Sequence, residues 1–303
     1  MEQIQIIPAH QIDTAKWDAC VEANVNGLIY ATAHYLNAMA DNWSALVIDD
    51  YEAIMPLPWL KKWGFRYLYT PPLTQQLGLI GKASISAAQL EQTIQRFAKY
   101  GSHLFNYENL SFLNPLNGSL YNNYILDLNK PYQVIKEGYK KSFQKNINRA
   151  EKQGLKYQID TDVYEASHLF YQYNKPNIGH VTEANMASFI SLCQQLAKLN
   201  KVAIRKVTNN DNELLSIVLI LQDGKRYYNI LNYTSPLGRG LESNYFLYDN
   251  LFKELSNQPM LFDFEGSDLP GVKSFYESMG SINQPYFHWH FNKLPWFAKM
   301  VKG

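Results

Sequence analysis

The chain contains 303 residues, which is enough for one large domain or two domains of ordinary size. Hydrophobic residues make up 46% of it and charged residues only 18%, so it can form a sizeable core, and general disorder is excluded. Its 28 basic residues are nearly balanced by 27 acidic ones, and the net charge of +1 excludes attraction to nucleic acid or an anionic membrane by overall charge alone.

The first 130 residues predict the order β, α, α, β, β, β, loop, α, β, α, β. Hydrophobic periodicity, together with glycine and proline at the boundaries, indicates each element. In chain order these are a strand over 3–7, helices over 13–22 and 32–40, strands over 45–48, 51–59 and 65–69, a loop over 70–81, a helix over 86–100, a strand over 103–107, a short helix over 109–116 and a closing strand over 121–128.

Residues 131–154 predict a basic linker helix. Its apolar stripe consists of Ile135, Tyr139, Phe143 and Ile147. Lys141, Lys145 and Arg149 recur every four residues and therefore share one face of the helix. Two interpretations are open for this face: a solvated polar surface, or a substrate-binding surface that grips the phosphates of a nucleotide or RNA.

Residues from 155 onward predict the same order of elements a second time. They are a strand over 155–160, a helix over 164–173, a helix capped by Thr182, strands over 202–207, 214–222 and 226–234, a loop over 235–242, a helix over 244–255, a strand over 260–264, a helix from Pro270 to Gly280 and a closing strand over 281–291. The repeated order indicates an internal duplication. We therefore expect an α/β (α+β) protein of two domains, 1–130 and 131–284, each with a mixed, mainly antiparallel sheet flanked by helices.

The N-terminus and the cysteines bear on the cellular compartment. Residues 1–13 lack the basic start and the apolar stretch of a signal peptide. The longest apolar run, 214–221, is about eight residues, whereas a membrane-spanning helix needs about twenty. Cys20 and Cys193 lie in predicted helices, which indicates buried thiols in a reducing compartment. We expect a cytoplasmic protein with no transmembrane segment and, since no cysteine–histidine cluster has ligand spacing, no metal site.

The element order resembles that of the GNAT acyltransferase superfamily, and two stretches carry a closer resemblance. FYESMG, residues 275–280, is similar to the family's late helix. The wider stretch FDFEGSDLPGVKSFYESMG, residues 262–280, and KNINRAEKQGL, residues 145–155, resemble the second domain of Fem-type proteins. Those bacterial proteins are tandem GNAT-fold enzymes that transfer an amino acid from aminoacyl-tRNA to a peptidoglycan precursor. The resemblance also implies that the tail, residues 285–303, packs on the first domain.

The resemblance implies roles for several residues. Tyr276 would be the general acid that protonates a leaving thiolate, although many Fem-type members carry lysine at this position; alternatively, it is a core tyrosine. The loop and helix start that hold the pyrophosphate of acyl-CoA in the family correspond here to Gly238, Arg239, Gly240, Ser243 and Asn244. This loop lacks a further glycine of the pattern. An ordinary surface turn, with Arg239 lying over tyrosine rings, is therefore the other interpretation.

Four further residues are candidates for the chemistry of transfer to an amine. Asp263 and Glu265 are two residues apart on a predicted strand, so their carboxylates would lie on one side. Either would accept the ammonium proton if burial raised its pKa toward neutrality; alternatively, both hydrogen-bond the following turn. In the first domain, the amides of Gln75 and Gln76 are candidates for binding a polar acceptor.

These observations lead to two hypotheses. The first is an acyltransferase that moves an acyl or aminoacyl group onto a small-molecule or peptide amine, such as that of a cell-wall precursor, in the second domain. Its donor is acyl-CoA or a charged tRNA; no permanently bound cofactor and no DNA partner are expected. The second is a non-catalytic binding protein that retains the GNAT fold.

Overall fold

The computed structural model describes residues 3–82, 85–113, 116–176, 178–266 and 268–296. Within them the chain divides into two units. The first contains the residues up to Tyr121 together with those from Pro285 onward, and the second is Asn122–Gln284. None of the helices in these ranges is both long and apolar enough to cross a membrane. Cys20 and Cys193 are buried free thiols, as expected.

The strands and helices account for most of the described chain. The strands are β1 (Ile4–Pro8), β2 (Trp43–Ile48), β3 (Ala53–Lys62), β4 (Phe65–Leu68), β5 (Ile80–Gly81), β6 (Tyr100–Phe105), β7 (Gly118–Tyr121), β8 (Tyr124–Asp127), β9 (Lys156–Asp160), β10 (Val202–Thr208), β11 (Leu214–Gln222), β12 (Arg226–Thr234), β13 (Leu261–Asp263), β14 (Ile282–Asn283) and β15 (Tyr286–Asn292). The helices are α1 (Thr14–Ala23), α2 (Ala33–Met39), α3 (Ala87–Phe97), α4 (Leu110–Leu113), α5 (Tyr132–Glu137), α6 (Lys141–Ala150), α7 (Val163–Asn174), α8 (Glu183–Ala197), α9 (Pro236–Gly240), α10 (Ser243–Leu255) and α11 (Pro270–Ser278). Short 3-10 turns lie at Ala9–Gln11, Ile29–Ala31, Tyr107–Asn109 and Glu151–Gln153.

The sheet of the first unit has the strand order β1-β2-β3-β4-β6-β15-β7, with β5 also paired to β3. Only the β4–β6 pair in this order is parallel. Helix α3 begins with a capping box between Ser86 and Gln89, and it buries Leu90 and Ile94, which are four residues apart and share a face. These side chains join Leu46, Met55 and other strand residues in one core cluster.

The loop between β4 and β5 fills the gap that opens where β4 ends beside β6. Leu77 forms a parallel bridge with Phe105, and its N–H donates to the carbonyl of Leu104 at 2.8 Å. Buried amides hold the loop: Asn106 donates to Leu77 O, while Asn109 both donates to and accepts from the backbone of Leu79.

Gln75 and Gln76 belong to this packed loop and are not at an accessible surface. They are 8% and 0% exposed, and the Gln76 amide donates to Gln75 Oε1 at 2.9 Å. The predicted role in binding an acceptor is therefore not favoured by this arrangement, because the two amides hydrogen-bond each other inside the unit.

Replacing Gly78 by Ala is expected to destabilise the first unit by about 2 kcal/mol or more. Gly78 has a φ of +99°, and a Cβ there would lie 2.3 Å from Asn109 Oδ1, which already accepts from Leu79 N–H. Gly64→Ala is the matched control, since its φ is +82° but nothing lies within 4 Å of its Cβ position. Urea unfolding measures both; equal losses would mean that the contact with Asn109 contributes nothing.

The sheet of the second unit has the strand order β14-β8-β13-β12-β11-β10-β9. Only β12 and β13 are parallel, so the predicted antiparallel meander of β10, β11 and β12 is confirmed. Helices α6, α10 and α11 contribute to one core cluster, which includes Phe143, Leu247, Tyr276 and Phe262. Helices α7 and α8 contact β10, β11 and β12. Both units thus have the expected mixed, mainly antiparallel sheets flanked by helices.

Both predicted closing strands are in fact divided between the two sheets. The segment expected as one strand over 121–128 forms β7, which pairs with β15, and β8, which pairs with β13 and β14. The segment expected over 281–291 likewise forms β14 and β15. The first stretch of the first unit therefore ends at Tyr121 and not at the predicted residue 130.

Two other expected elements also differ. The linker expected as one helix over 131–154 is α5 followed by α6, interrupted after Glu137, and it ends at Gly154 in a left-handed conformation. In the tail, β15 lies between β6 and β7 and buries Trp289 to 1% exposure, whereas Trp296 is largely exposed. Residues 297–303 lie outside the described residues.

Candidate functional site

A β-bulge in β12 opens the sheet of the second unit. Leu219 pairs with Leu231, but Leu221 pairs with Tyr228, so Asn229 and Ile230 together oppose a single residue of β11. On its other side β12 pairs with β13 only up to Asp263, while β12 itself continues to Thr234. The two parallel strands therefore diverge. A bulge that redirects side chains beside the carboxyl end of a parallel pair is a common setting for a ligand site.

A cavity of about 410 Å³ lies where these strands diverge, entirely within the second unit. It is lined by Phe170 and Asn174 of α7, by Asn229, Ile230 and Asn232 of β12, by Asn244 of α10, by Phe264, Glu265 and Gly266 after β13, and by Gly271, Val272, Phe275 and Tyr276 of α11. Apolar walls with a few polar groups are typical of small-molecule sites.

Glu265 is the acidic side chain of this cavity. It follows β13 with a φ of +66°, a left-handed conformation that is uncommon for a residue other than glycine and is often found at functional sites. Its Oε1 atom is buried and has no hydrogen-bond partner among the described residues. Burial raises the pKa of Glu265 to about 8. Such a carboxyl group exchanges protons near neutrality, which suits a general base.

Asp263 does not line the cavity that Glu265 lines, and its contacts do not favour its predicted role as a base. Its carboxylate is 1% exposed and forms a salt bridge at 2.7 Å with Arg226, which is itself 2% exposed. The same Oδ2 atom accepts from Asn123, and Oδ1 accepts from the N–H of Glu265. The two carboxylates do not lie on one side because β13 ends at Asp263, after which the left-handed turn redirects Glu265.

Tyr276 lies both in the core and in the wall of the cavity. It is 8% exposed, and its ring is 4.7 Å from that of Phe264. Burial and then the charge of Glu265 raise the pKa of Tyr276, against a hydrogen bond from Asn229 that lowers it. The hydroxyl therefore keeps its proton at neutral pH. The two interpretations offered by the sequence, core residue and proton donor, are compatible at this position.

The segment expected as an open glycine-rich loop is instead mostly helix α9. Ser235 caps it by accepting from Gly238 N–H at 2.9 Å, and Gly238 is buried because its Cα lies close to the carbonyl of Leu215. Arg239 donates to Tyr173 Oη and to Thr234 O, each at 2.8 Å. Arg239 therefore lies against a tyrosine ring, as in the second of the two interpretations given above. Gly240 is exposed at the end of the helix.

The start of α10 carries a negative charge where a bound pyrophosphate would be expected. Glu242 precedes the helix and lies 3.8 Å from Arg149 of α6. Ser243 is fully buried, and Asn244 lines the cavity with an Oδ1 atom that has no partner in the described chain. A carboxylate at a helix N-terminus satisfies the helix dipole itself, so this end of α10 offers little attraction to a diphosphate.

The basic face of α6 is exposed. Lys141 and Lys145 form no ion pair with any residue that the structure describes, whereas Arg149 contacts Glu242. On the buried side of the helix, the ring of Phe143 lies 6.0 Å from that of Phe275, which lines the cavity. The face is therefore carried by a helix that packs directly behind the cavity wall.

Asn229 and Asn232 were not among the residues predicted from the sequence. The signal was present in β12, RYYNILNYT, where asparagines three residues apart break the strict alternation of a regular strand. Such a break is what a bulge produces. It brings two polar side chains to one cavity wall.

Comparisons with known proteins bear on the fold. No protein-family model and no curated protein matches the sequence. Among solved structures, the chain is similar to FemX (TM-score 0.68, 12% identity, covering 99% of this chain and 100% of that one). It is also similar to L-PGS from Bacillus licheniformis, with a TM-score of 0.54 and 12% identity over 95% of each chain. A tandem GNAT protein from the clavulanic acid biosynthesis pathway is similar as well, with a TM-score of 0.54 and 10% identity over 97% of this chain and 99% of that one. The chain has a Fem-like fold of two GNAT-like domains.

Proposed function

We propose that this protein is an acyl- or aminoacyltransferase whose reaction takes place in the cavity between β12 and α11. The observation that carries the proposal is the pairing, in one cavity, of a strained Glu265, which has a buried Oε1 atom and a pKa raised to about 8, with a protonated Tyr276. A group that accepts a proton near neutrality beside a group that holds one is the arrangement that amide formation requires.

The proposed reaction is transfer of an acyl carbonyl from an oxygen or sulfur leaving group to an amine. Glu265 takes a proton from the ammonium group, directly or through a water molecule, and the amine nitrogen then forms a bond to the carbonyl carbon. As the bond from that carbon to the leaving oxygen or sulfur breaks, Tyr276 gives its proton to the leaving atom. The nitrogen loses its second proton to the Tyr276 oxygen, and Glu265 releases its own proton to solvent, so the protein returns to its starting state.

The charges around the cavity favour a charged tRNA over acyl-CoA as the donor. Glu242 occupies the helix start where the pyrophosphate of CoA would bind, and Arg239 is engaged by Tyr173 and Thr234. Lys141 and Lys145 are exposed on the neighbouring helix and can contact nucleic-acid phosphates. The acceptor in this proposal is a small-molecule or peptide amine, for which the amine of a bacterial cell-wall precursor is the first candidate.

The test is turnover of radiolabelled donors, a panel of aminoacyl-tRNAs and acyl-CoAs, with a mixture of diamines and amine-bearing peptides. Transfer to an amine that is lost in Tyr276→Phe, with a thermal midpoint within a degree or two of the parent, would support the proposal. Consumption of no donor in the panel would reject it and leave the non-catalytic binding protein.

Reversing the charge of the basic face is expected to separate the two donors. Lys141→Glu with Lys145→Glu should raise KM for a charged tRNA at least about tenfold at low salt and reduce the salt dependence of KM, because two phosphate contacts are lost. Turnover of an acyl-CoA should be unaffected. Lys198→Glu with Lys253→Glu, a matched reversal at exposed lysines, should leave both unchanged. An equal effect of both double variants would exclude a specific tRNA contact on α6.

A further inference from the structure

Three oxygen atoms without partners converge on the cavity of the second unit. They are Glu265 Oε1, Asn229 Oδ1 and Asn244 Oδ1; each is buried, and none is hydrogen-bonded to the described residues. All three residues line the same cavity. Buried polar atoms in proteins are nearly always hydrogen-bonded, so this group of acceptors needs donors from a ligand or from ordered water.

Tyrosine and asparagine side chains form a polar cluster beside these acceptors. The Asn229 side chain interacts with the hydroxyl groups of Tyr276 and Tyr248 and lowers the pKa of each. The Tyr248 hydroxyl also accepts from Asn232 Nδ2 at 2.6 Å. Asn229 Oδ1 itself is buried and has no hydrogen-bond partner among the described residues.

The charge of the cavity has one sign. Among the described residues that line it there is no lysine, arginine or histidine, and Glu265 is the only ionisable carboxyl group. A carboxylate or phosphate ligand would therefore meet no cation there and would be repelled by ionised Glu265. The described residues contain no group of three or more histidine, cysteine, aspartate or glutamate side chains that could hold a metal ion, and this cavity has a single carboxyl group.

A primary ammonium group fits this arrangement best. It carries one positive charge and three N–H donors, which match one carboxylate and two amide oxygens. A quaternary ammonium has the charge but no N–H group. It would leave all three oxygens buried and unsatisfied, and each of them would then weaken its binding.

We propose that Glu265, Asn229 and Asn244 form a site that selects a primary ammonium group. The inference rests on the proposed function, because it assigns to the same cavity the class of group that is deprotonated there. The ammonium belongs either to the acceptor amine or to the amino acid carried by a charged tRNA. In both cases Asn229 and Asn244 are specificity-determining residues.

The inference is tested by titrating the full chain, carbon-13-labelled in its glutamate side chains, with small probes at about pH 9. At this pH Glu265 is ionised, while an alkylammonium, like lysine, remains protonated. The carboxyl resonance of Glu265 is identified by its absence from the spectrum of the Glu265→Gln variant. Butylammonium should shift this resonance. Butyltrimethylammonium and butanol should bind at least about tenfold more weakly. Equal binding of the trimethylated probe, or no shift with butylammonium, would overturn the inference.

A second probe, alaninamide, distinguishes the two sources of the ammonium group when its affinity is expressed per protonated molecule, because its α-amino group has a pKa of about 8 and is only about one-tenth protonated at pH 9. Tighter binding of alaninamide than of butylammonium would indicate the aminoacyl group of the donor, whose carbonyl neighbours the ammonium. The reverse order would indicate the side-chain amine of an acceptor. Either order supports the site itself.

Variants of Asn244 extend the test, since this half-buried residue is less critical to the core than Asn229. Asn244→Leu should weaken butylammonium at least about tenfold, and Asn244→Asp, which adds a carboxylate, should tighten it. Asn250→Leu, farther along the same helix and outside the cavity, is the matched control and should have no effect. An unchanged affinity in both Asn244 variants would remove this residue from the site. Selective binding without turnover of any donor would keep the ammonium site and reject the transferase.

Discussion

Replacing Glu265 by Gln is expected to lower kcat/KM for acyl transfer by about 10²–10⁴. The substitution keeps the size of the side chain and removes its ability to accept a proton. Because burial raises the pKa of Glu265 to about 8, the parent enzyme should gain activity as pH rises toward 8, when the carboxyl group ionises. The Glu265→Gln variant should have a flat profile across this range.

The pH dependence of kcat/KM between pH 6 and 9 is the measurement that checks this prediction. Glu213→Gln, the same chemical change on an exposed loop, is the control and should retain the profile of the parent. A Glu265→Gln variant that keeps the parental rise toward pH 8 would assign the base to another group, even if its activity were low.

The same substitution should increase stability in alkaline solution. The pKa of Glu265 is higher in the folded protein than its ordinary value of 4.5, so the folded state binds the proton more tightly than the unfolded state does. The free energy of unfolding therefore falls as pH rises from about 4.5 to about 8, by up to about 1.4 kcal/mol per pH unit. Glutamine does not ionise, so the free energy of unfolding of the variant, measured in urea, should rise relative to that of the parent as pH increases from about 4.5 to about 8.

Replacing Asp263 by Asn is expected to destabilise the second unit by about 3–5 kcal/mol. The substitution leaves the Arg226 guanidinium, 2% exposed, without the carboxylate that it contacts at 2.7 Å. An amide oxygen could still accept a hydrogen bond but would not neutralise the buried charge. The hydrogen bonds that Asp263 accepts from Asn123 and from Glu265 N–H would also weaken.

Urea unfolding of the single and double variants checks this prediction. Arg226→Met with Asp263→Leu removes both charges, and it should be less destabilised than Asp263→Asn alone, because no unpaired charge remains inside. A loss of less than about 1 kcal/mol in Asp263→Asn would mean that water reaches Arg226. Since the ion pair joins β12 to β13 where they begin to diverge, its loss should also weaken binding in the cavity beyond.

Much of the second unit was predictable because its signals are local. The alternation in β10, β11 and β12, the cap at Thr182 and the glycine that ends α11 all depend on residues near one another in sequence. The sequence could not predict that residues 121–128 and 281–291 are each divided between two sheets, because a period of two residues identifies a strand but not its partner.

The candidate site, too, was predictable only where it depends on local sequence. Glu265 was identified from its residue type and its neighbours. Its separation from Asp263 depends on a left-handed φ and on a distant arginine, Arg226, and neither is visible in the local sequence. The five residues of α9 were predicted as a loop because Pro236, Gly238 and Gly240 suit a turn, although Ser235 followed by proline is a local signal of a helix start.

The position of β15 has a consequence for how the chain is made. This strand lies between β6 and β7 in the first sheet, and β7 pairs with no other strand in that sheet order. On the ribosome, the first unit must therefore wait, with β7 unpaired, until residues 286–292 have emerged. The second unit is one continuous segment and can complete its sheet earlier. The unit whose first strand is synthesised first is thus the unit whose sheet is completed last.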